Sequence, residues 1–287
     1  MNDQAAKLRD QMGNQSNIRT GARKIAVTSG KGGTGKSNTS VNLSIALAKL
    51  GQRVMLVDAD TNLANVDILL GVSSKYTLHD VAKGGIPLSE VVFTGPAGIQ
   101  VLPGTSGIVE LVGNDGMIRN EITTSLAVYE RDLDIMVIDT GAGINETVVH
   151  FVTAADEAII VTQPEPTALA DAYALIKIIS SRSVRTRLYI LVNGVRRPSD
   201  GFDVFEQLQL VVQNFLNIQI HFLGNIPYDT NVINAVNRQQ PYLLMAPKTE
   251  ASIAISSIAR KLLKHPPVAP DGKKETLFGR LMRGSKP

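Results

Sequence analysis

Two lysines and a serine sit inside a run of glycines, Gly30-Lys31-Gly32-Gly33-Thr34-Gly35-Lys36-Ser37. The run follows the apolar stretch Ile25-Ala26-Val27 and opens a helical pattern. Glycines let a backbone wrap around a phosphate and aim its N–H groups inward. The helix N-terminus adds the positive end of its dipole. The spacing Gly-x-x-x-x-Gly-Lys-Ser between strand and helix is the P-loop pattern. It assigns Lys36 to the β- and γ-phosphates of a nucleotide and Ser37 to Mg2+, with Gly32, Gly33, Thr34, Gly35 and Asn38 completing the cradle. A glycine-rich turn with a chance lysine is the plainer reading, and the strand–loop–helix context argues against it.

Phosphoryl transfer also needs carboxylates near the γ-phosphate and its metal. Val54-Met55-Leu56-Val57 runs into Asp58-Ala59-Asp60, and Ile135-Met136-Val137-Ile138 runs into Asp139. An apolar strand ending in an acid is the Walker B pattern, so Asp139 is expected to hold Mg2+ through its water shell. Asp58 and Asp60, followed by Asn62, Asn65 and Asp67, also fit a capped loop-to-helix junction, where such residues are common.

These groups need a scaffold that brings strand ends together. Short apolar runs over 24–28, 53–57, 99–102, 135–138, 158–162, 187–192 and 221–224 read as strands. Helical patterns fall over 36–50, 146–155, 167–180, 203–215, 231–238 and 249–263. Near-continuous Val/Ile/Leu strands alternating with helices predict an α/β fold, a doubly wound, mostly parallel β-sheet flanked by helices. Ligands then bind at the carboxyl ends of the strands.

The chain divides into a polar arm over 1–22, a P-loop domain over 23–264, a Pro-rich linker over 265–275 and a tail over 276–287. Pro266, Pro267 and Pro270 cannot continue a helix. Across 287 residues there is no cysteine, which excludes disulfides, thiolate zinc sites and cysteine-ligated iron–sulfur clusters. The four histidines are far apart and lack metal-ligand spacing. No apolar run reaches membrane-span length and the arm lacks a signal-peptide core, so a cytoplasmic location is expected. The net charge of +3 is unevenly spread: residues 264–287 carry six basic groups against two acids, leaving 1–263 at −1. A basic tail points to an acidic surface, a membrane or nucleic acid.

The pattern Lys-Gly-Gly-x-Gly-Lys-Ser resembles the deviant Walker A of the MinD/ParA class of P-loop ATPases. That resemblance implies ATP/ADP and Mg2+ as ligands, and a homodimer when ATP is bound, with Lys31 reaching the partner's phosphates. It implies that Asp60 positions the attacking water, that Asp58 lies near Mg2+ and that the Gly143 N–H senses the γ-phosphate. Asn193 would read the adenine edge, with Pro227, Tyr228 and Asp229 as a second adenine loop and Glu165 facing the partner's nucleotide. The absence of Asn-Lys-x-Asp argues against guanine. Departures are Thr34, where the class usually has valine, and Thr61-Asn62, where Leu-Gly is often seen.

The runs Asp58-Ala59-Asp60 with Leu63-Ala64-Asn65-Val66-Asp67, Asp139-Thr140-Gly141-Ala142-Gly143-Ile144 and Glu165-Pro166-Thr167 leading into Asp171-Ala172-Tyr173-Ala174-Leu175-Ile176-Lys177 resemble the flagellar-number regulators of the FlhG/FleN branch. In the arm, Asp3-Gln4-Ala5-Ala6-Lys7-Leu8-Arg9 is similar to the element by which FlhG proteins stimulate an FlhF-type GTPase, with Asp3, Gln4, Ala5, Leu8 and Arg9 as its contacts. A disordered arm is the alternative. In the tail, helical geometry sets Leu277, Phe278, Leu281 and Met282 against Arg280 and Arg283, an amphipathic basic segment suited to an anionic membrane interface. Packing back on the body is the alternative. The resemblance therefore implies a slow ATP hydrolase at the inner face of the cytoplasmic membrane, with a polar position among the options. A ParA-type partition ATPase on DNA is a second expectation, and the near-neutral body argues against DNA binding. A scaffold for a transcription regulator or the flagellar C-ring is a third, against which the intact Lys36, Asp60 and Asp139 argue.

Overall fold

The computed structural model describes residues 21–60, 65–72, 74–82, 86–104, 116–266 and 276–284. Asp3, Gln4, Ala5, Leu8 and Arg9 of the arm lie outside the described residues, as do Thr61 and Asn62.

Eight strands form one sheet in the order β3-β4-β2-β5-β1-β6-β7-β8. They are β1 (Arg23–Ser29), β2 (Val54–Ala59), β3 (Phe93–Thr94), β4 (Gln100–Leu102), β5 (Ile135–Ala142), β6 (Glu157–Thr162), β7 (Arg187–Val195) and β8 (His221–Pro227). All pairings are parallel except β3 with β4. The seven strands read from the sequence are present. The eighth, β3, is a two-residue antiparallel edge.

Both faces of the sheet are covered, which is why the middles of the central strands are apolar. Side chains alternate strictly between two cores. Ala26, Met55, Val57, Met136 and Ile138 face one, and Ile25, Val27, Leu56, Ile135 and Val137 face the other. The second core is closed by α1 (Lys36–Lys49), the short α2 (Val66–Leu70), α8 (Thr230–Asn237), α9 (Tyr242–Met245) and α10 (Glu250–Lys264). The first is closed by α3 (Leu78–Ala82), α4 (Gly116–Arg131), α5 (Glu146–Ala154), α6 (Pro166–Arg182), α7 (Pro198–Leu216) and α11 (Leu277–Gly284).

Local chemistry sets where these helices start. Pro166 and Pro198 open α6 and α7, at positions where a missing N–H costs nothing. The Asn145 side chain accepts from the Val148 N–H and caps α5. Helix α1 buries several polar residues, which find partners within the helix and on the elements beside it. Thr39 and Ser44 donate to carbonyls four residues back, and Asn42 donates to the Asn38 carbonyl and accepts the Leu243 N–H. Buried hydroxyls and amides are thereby carried into the core without orphaned groups.

The tail helix α11 lies on α4 and α5. Leu277 and Phe278 are completely buried there and Leu281 packs against the same core. The Leu277 N–H donates to Glu130 Oε2 at 2.9 Å. Arg280 donates to the Ala154 carbonyl and pairs with Asp156 at 2.7 Å. The apolar side expected to face lipid is therefore covered by protein here. One physical pattern serves both surroundings, because each buries the same stripe. The side chains of Met282 and Arg283 lie outside the described residues. Among the described residues, no helix is long and apolar enough to cross a membrane.

Candidate functional site

Strand β1 lies at the centre of the sheet, between β5 and β6, and its carboxyl end delivers the Gly30–Gly35 loop to the start of α1. Gly30 runs so close to α6 that a Cβ there would meet the Asp171 backbone at 2.4 Å. Gly35 has φ 89° and ψ 17°, a left-handed conformation that only glycine adopts at little cost. The Gly143 N–H donates to the Ser29 carbonyl at 2.9 Å. The loop after β5 is thus tied to the loop after β1.

Lys36, Ser37 and Asp139 converge. Lys36 Nζ lies 3.3 Å from Asp139 Oδ1 and 3.3 Å from Ser37 Oγ. Ser40, one turn on from Lys36 in α1, donates to the same Asp139 oxygen at 2.8 Å. Asp139 is fully buried, and its other oxygen, Oδ2, has no hydrogen-bond partner. A buried carboxylate oxygen without a partner is costly, and beside a serine hydroxyl it suits a cation with oxygen ligands. Ser40 escaped the sequence reading; its four-residue spacing from Lys36, which puts both on one helix face, was the available signal.

Asp58 stands next to Asp139 in register, β2 on β5. Its carboxylate takes the Asp60 N–H on Oδ1 and the Asn65 and Val66 N–H groups on Oδ2. It therefore anchors the turn that carries Asp60 and caps the entry to α2. Burial, and then the charge of Asp139, push the Asp58 carboxyl up to about 7 against those N–H groups. Asp139 is also pushed up, chiefly by burial, with Lys36 and the serines opposing. Asp60 faces Gly141. A Cβ on that glycine would sit 3.4 Å from Asp60 Oδ1, in ordinary contact, which places the carboxylate beside the end of β5.

The remaining predicted residues fall on the same edge of the sheet. Lys31 Nζ lies 2.7 Å from Glu165 Oε2 and 3.2 Å from Thr167 Oγ1. Asn193, at the end of β7, donates from Nδ2 to the Thr34 carbonyl at 2.8 Å. Tyr228 is exposed, with the Arg196 guanidinium 5.8 Å from its ring centre. Asp229 turns its carboxylate to Asn231 and caps α8. The sequence marks Thr167 only as part of the Glu165-Pro166-Thr167 run, not as a contact of Lys31, and does not single out Arg196. The former lies two residues beyond Glu165, and the latter had no signal beyond its charge. The tail is remote from this edge: Leu277 is tied through Glu130 to Lys24, at the opposite end of β1.

A ParA family model described as "NUBPL iron-transfer P-loop NTPase" matches residues 21–263. The chain belongs to the ParA/MinD family of P-loop NTPases. It is 42% identical over 260 residues to the antiactivator FleN of Pseudomonas aeruginosa, covering 90% of this chain and 93% of that one. It is 35% identical over 276 residues to the flagellum site-determining protein YlxH of Helicobacter pylori, covering 92% and 91%. The septum site-determining protein MinD of Pyrococcus horikoshii, complexed with Mg-ADP, superposes with a TM-score of 0.67 at 25% identity, over 84% of this chain and 96% of that one. The doubly wound fold and the P-loop placement are those of this ParA/MinD family.

Proposed function

We propose that this family member is an ATP-dependent, dimerising switch ATPase that controls flagellar number and placement. The observation that carries the reading is the convergence of Lys31, Lys36, Asp60 and Asp139 on one edge of the sheet, with Lys36 already on Asp139. The FleN and YlxH relatives supply the flagellar context.

Lys36 would move from Asp139 onto the β- and γ-phosphates of ATP, a stronger partner for an ammonium. Ser37 and the unpartnered oxygen of Asp139 would hold a Mg2+ ion, which when bound supplies charge neutralisation between the phosphates. Asp60 would orient the water that attacks the γ-phosphate, and the Gly143 N–H would leave the Ser29 carbonyl to register that phosphate's presence. Lys31 would leave Glu165 for the partner's phosphates and close a homodimer. Dimerisation joins two tails, and two short amphipathic helices bind an anionic bilayer far more tightly than one. The tail would then exchange its groove on α4 and α5 for the inner face of the cytoplasmic membrane. The arm, through Asp3, Gln4, Ala5, Leu8 and Arg9, would stimulate an FlhF-type GTPase.

Co-sedimentation with anionic vesicles tests the switch. Full-length protein with ATP should pellet, and protein with ADP or ending at Pro270 should stay in solution. Equal pelleting with ATP and ADP would refute nucleotide control. A pull-down of the arm with an FlhF-type GTPase, read by GTP hydrolysis, tests the partner.

A further inference from the structure

Strand β7 ends in a bulge. Its register on β8 slips between the pairs Asn193–Ile226 and Val195–Pro227, and Gly194 between them has φ 75°. The bulge delivers the half-buried Asn193 to a loop 159 residues earlier in the chain, where Nδ2 meets the Thr34 carbonyl. Only the nitrogen of an amide can donate to a carbonyl, so this contact fixes which way the side chain faces. The contact is tight. A Cβ on Gly35 would lie 2.2 Å from Nδ2, so the amide rests on the Gly35 Cα.

We infer that Asn193 orients a phosphate-binding amide of the P-loop, so that one side chain serves both the base and the phosphates of the nucleotide. The inference rests on the ATP-binding reading above and gives Asn193 a task at the end of the ligand remote from the base. A trans peptide is planar, and its C=O and N–H point in opposite directions. Holding the Thr34 carbonyl toward Asn193 turns the Gly35 N–H away from Asn193 and into the loop. Glycine at positive φ is where such a peptide flips most easily. Nothing in the Thr34 side chain opposes a flip, because its buried hydroxyl has no partner. Asn193 is thus a positioning residue for the cradle, and its Oδ1 remains to meet a base amino group. Occupation of the base site steadies the amide that steadies the loop.

Magnesium tripolyphosphate, which has no base, separates the two roles. Calorimetric titrations would compare it with Mg-ATP on the full chain, on Asn193→Ala and on Asn193→Asp. Asp is the same size as Asn but has no N–H for Thr34. Both variants should unfold thermally near the wild type without ligand, and both should bind tripolyphosphate roughly tenfold more weakly. Unchanged tripolyphosphate binding by Asn193→Ala, with ATP weakened, would confine Asn193 to the base and overturn the inference. Weakening confined to Asn193→Asp would trace to its added charge and overturn it equally. If Asn193→Ala does not fold, Asn193→Ser, too short to reach Thr34, replaces it. A wild-type chain that binds tripolyphosphate but discriminates nothing between ATP and tripolyphosphate would instead count against the base site. One that binds neither would overturn the ATP reading itself.

Discussion

Lys31 and Glu165 form an ion pair within one chain, 2.7 Å apart, at the edge of the sheet where the nucleotide would lie. The lysine that the family resemblance sends to a partner's phosphates is thus held at home, with the Thr167 hydroxyl as a second acceptor. In the dimer proposed above, closure would have to break this pair in each protomer. Both side chains retain solvent contact, at 29% and 55% exposure, so the restraint is about 1 kcal/mol or less. Glu165→Gln should lower the protein concentration at which ATP drives dimerisation, by at most about thirtyfold because one pair is released in each protomer, as read by light scattering on a sizing column. A requirement for more protein would mean that Glu165 assists the closed dimer rather than restraining the open chain.

Asp60 is held differently from Asp58, although only one residue separates them. Asp58 spends both oxygens on the backbone of the following turn, whereas Asp60 is set beside Gly141 at the end of β5. Asp60→Ala should therefore leave nucleotide binding intact while slowing ATP hydrolysis by roughly a hundredfold or more. The protein should accumulate as an ATP-bound dimer. Phosphate release measured under single-turnover conditions separates hydrolysis from product loss. Full turnover by this variant would remove Asp60 from the reaction.

The strands that carry these acids were readable because a sheet buried on both faces writes continuous apolar runs, and strand ends then mark themselves with polar residues. Phe93–Thr94 is too short to show any period, and its pairing with β4 depends on the fold around it. Helix α4 was missed because Thr123, Thr124 and Ile122 blunt its helical propensity, and tertiary packing of Leu126 decides the matter. Asn193 was recognisable as a residue type at a strand end. Its partner, the Thr34 carbonyl, was not, because a backbone acceptor leaves no mark in the sequence. The tail pattern was legible as amphipathic, but a stripe of Leu277, Phe278 and Leu281 reads alike toward protein or lipid.

The buried acids make the nucleotide-free protein sensitive to pH. Asp58 titrates near 7 in the folded chain and near 4 when unfolded. Between those values the folded state binds more protons, so stability is greatest at the acid end and falls as pH rises toward 7. The upward push on Asp139 has the same sign. Urea denaturation without nucleotide should show lower stability at pH 7.5 than at pH 5.5, and Asp58→Asn should flatten the slope. His221 and His265, both pushed down chiefly by burial, act with the opposite sign in the lower part of that window, so the difference between wild type and Asp58→Asn is the measure, and an unchanged slope in Asp58→Asn would show that Asp58 is not carrying a proton.

Glu130 joins the tail to the start of the P-loop strand. One oxygen pairs with Lys24 Nζ at 2.5 Å, and the other accepts the Leu277 N–H. Lys24 and Glu130 are both buried, and removing the carboxylate altogether would strand the lysine, at a cost of about 3–5 kcal/mol. Glu130→Gln is the gentler change. It keeps an oxygen for one partner but cannot serve a charge and an N–H equally, so the tail helix should loosen first. The variant should then pellet more completely than the wild type with anionic vesicles at limiting ATP, and a chain also ending at Pro270 should lose that binding. Thermal unfolding in parallel distinguishes a freed tail from a damaged core. Vesicle binding by Glu130→Gln that matches the wild type at every ATP concentration would show that the groove on α4 and α5, rather than this bond, retains the tail.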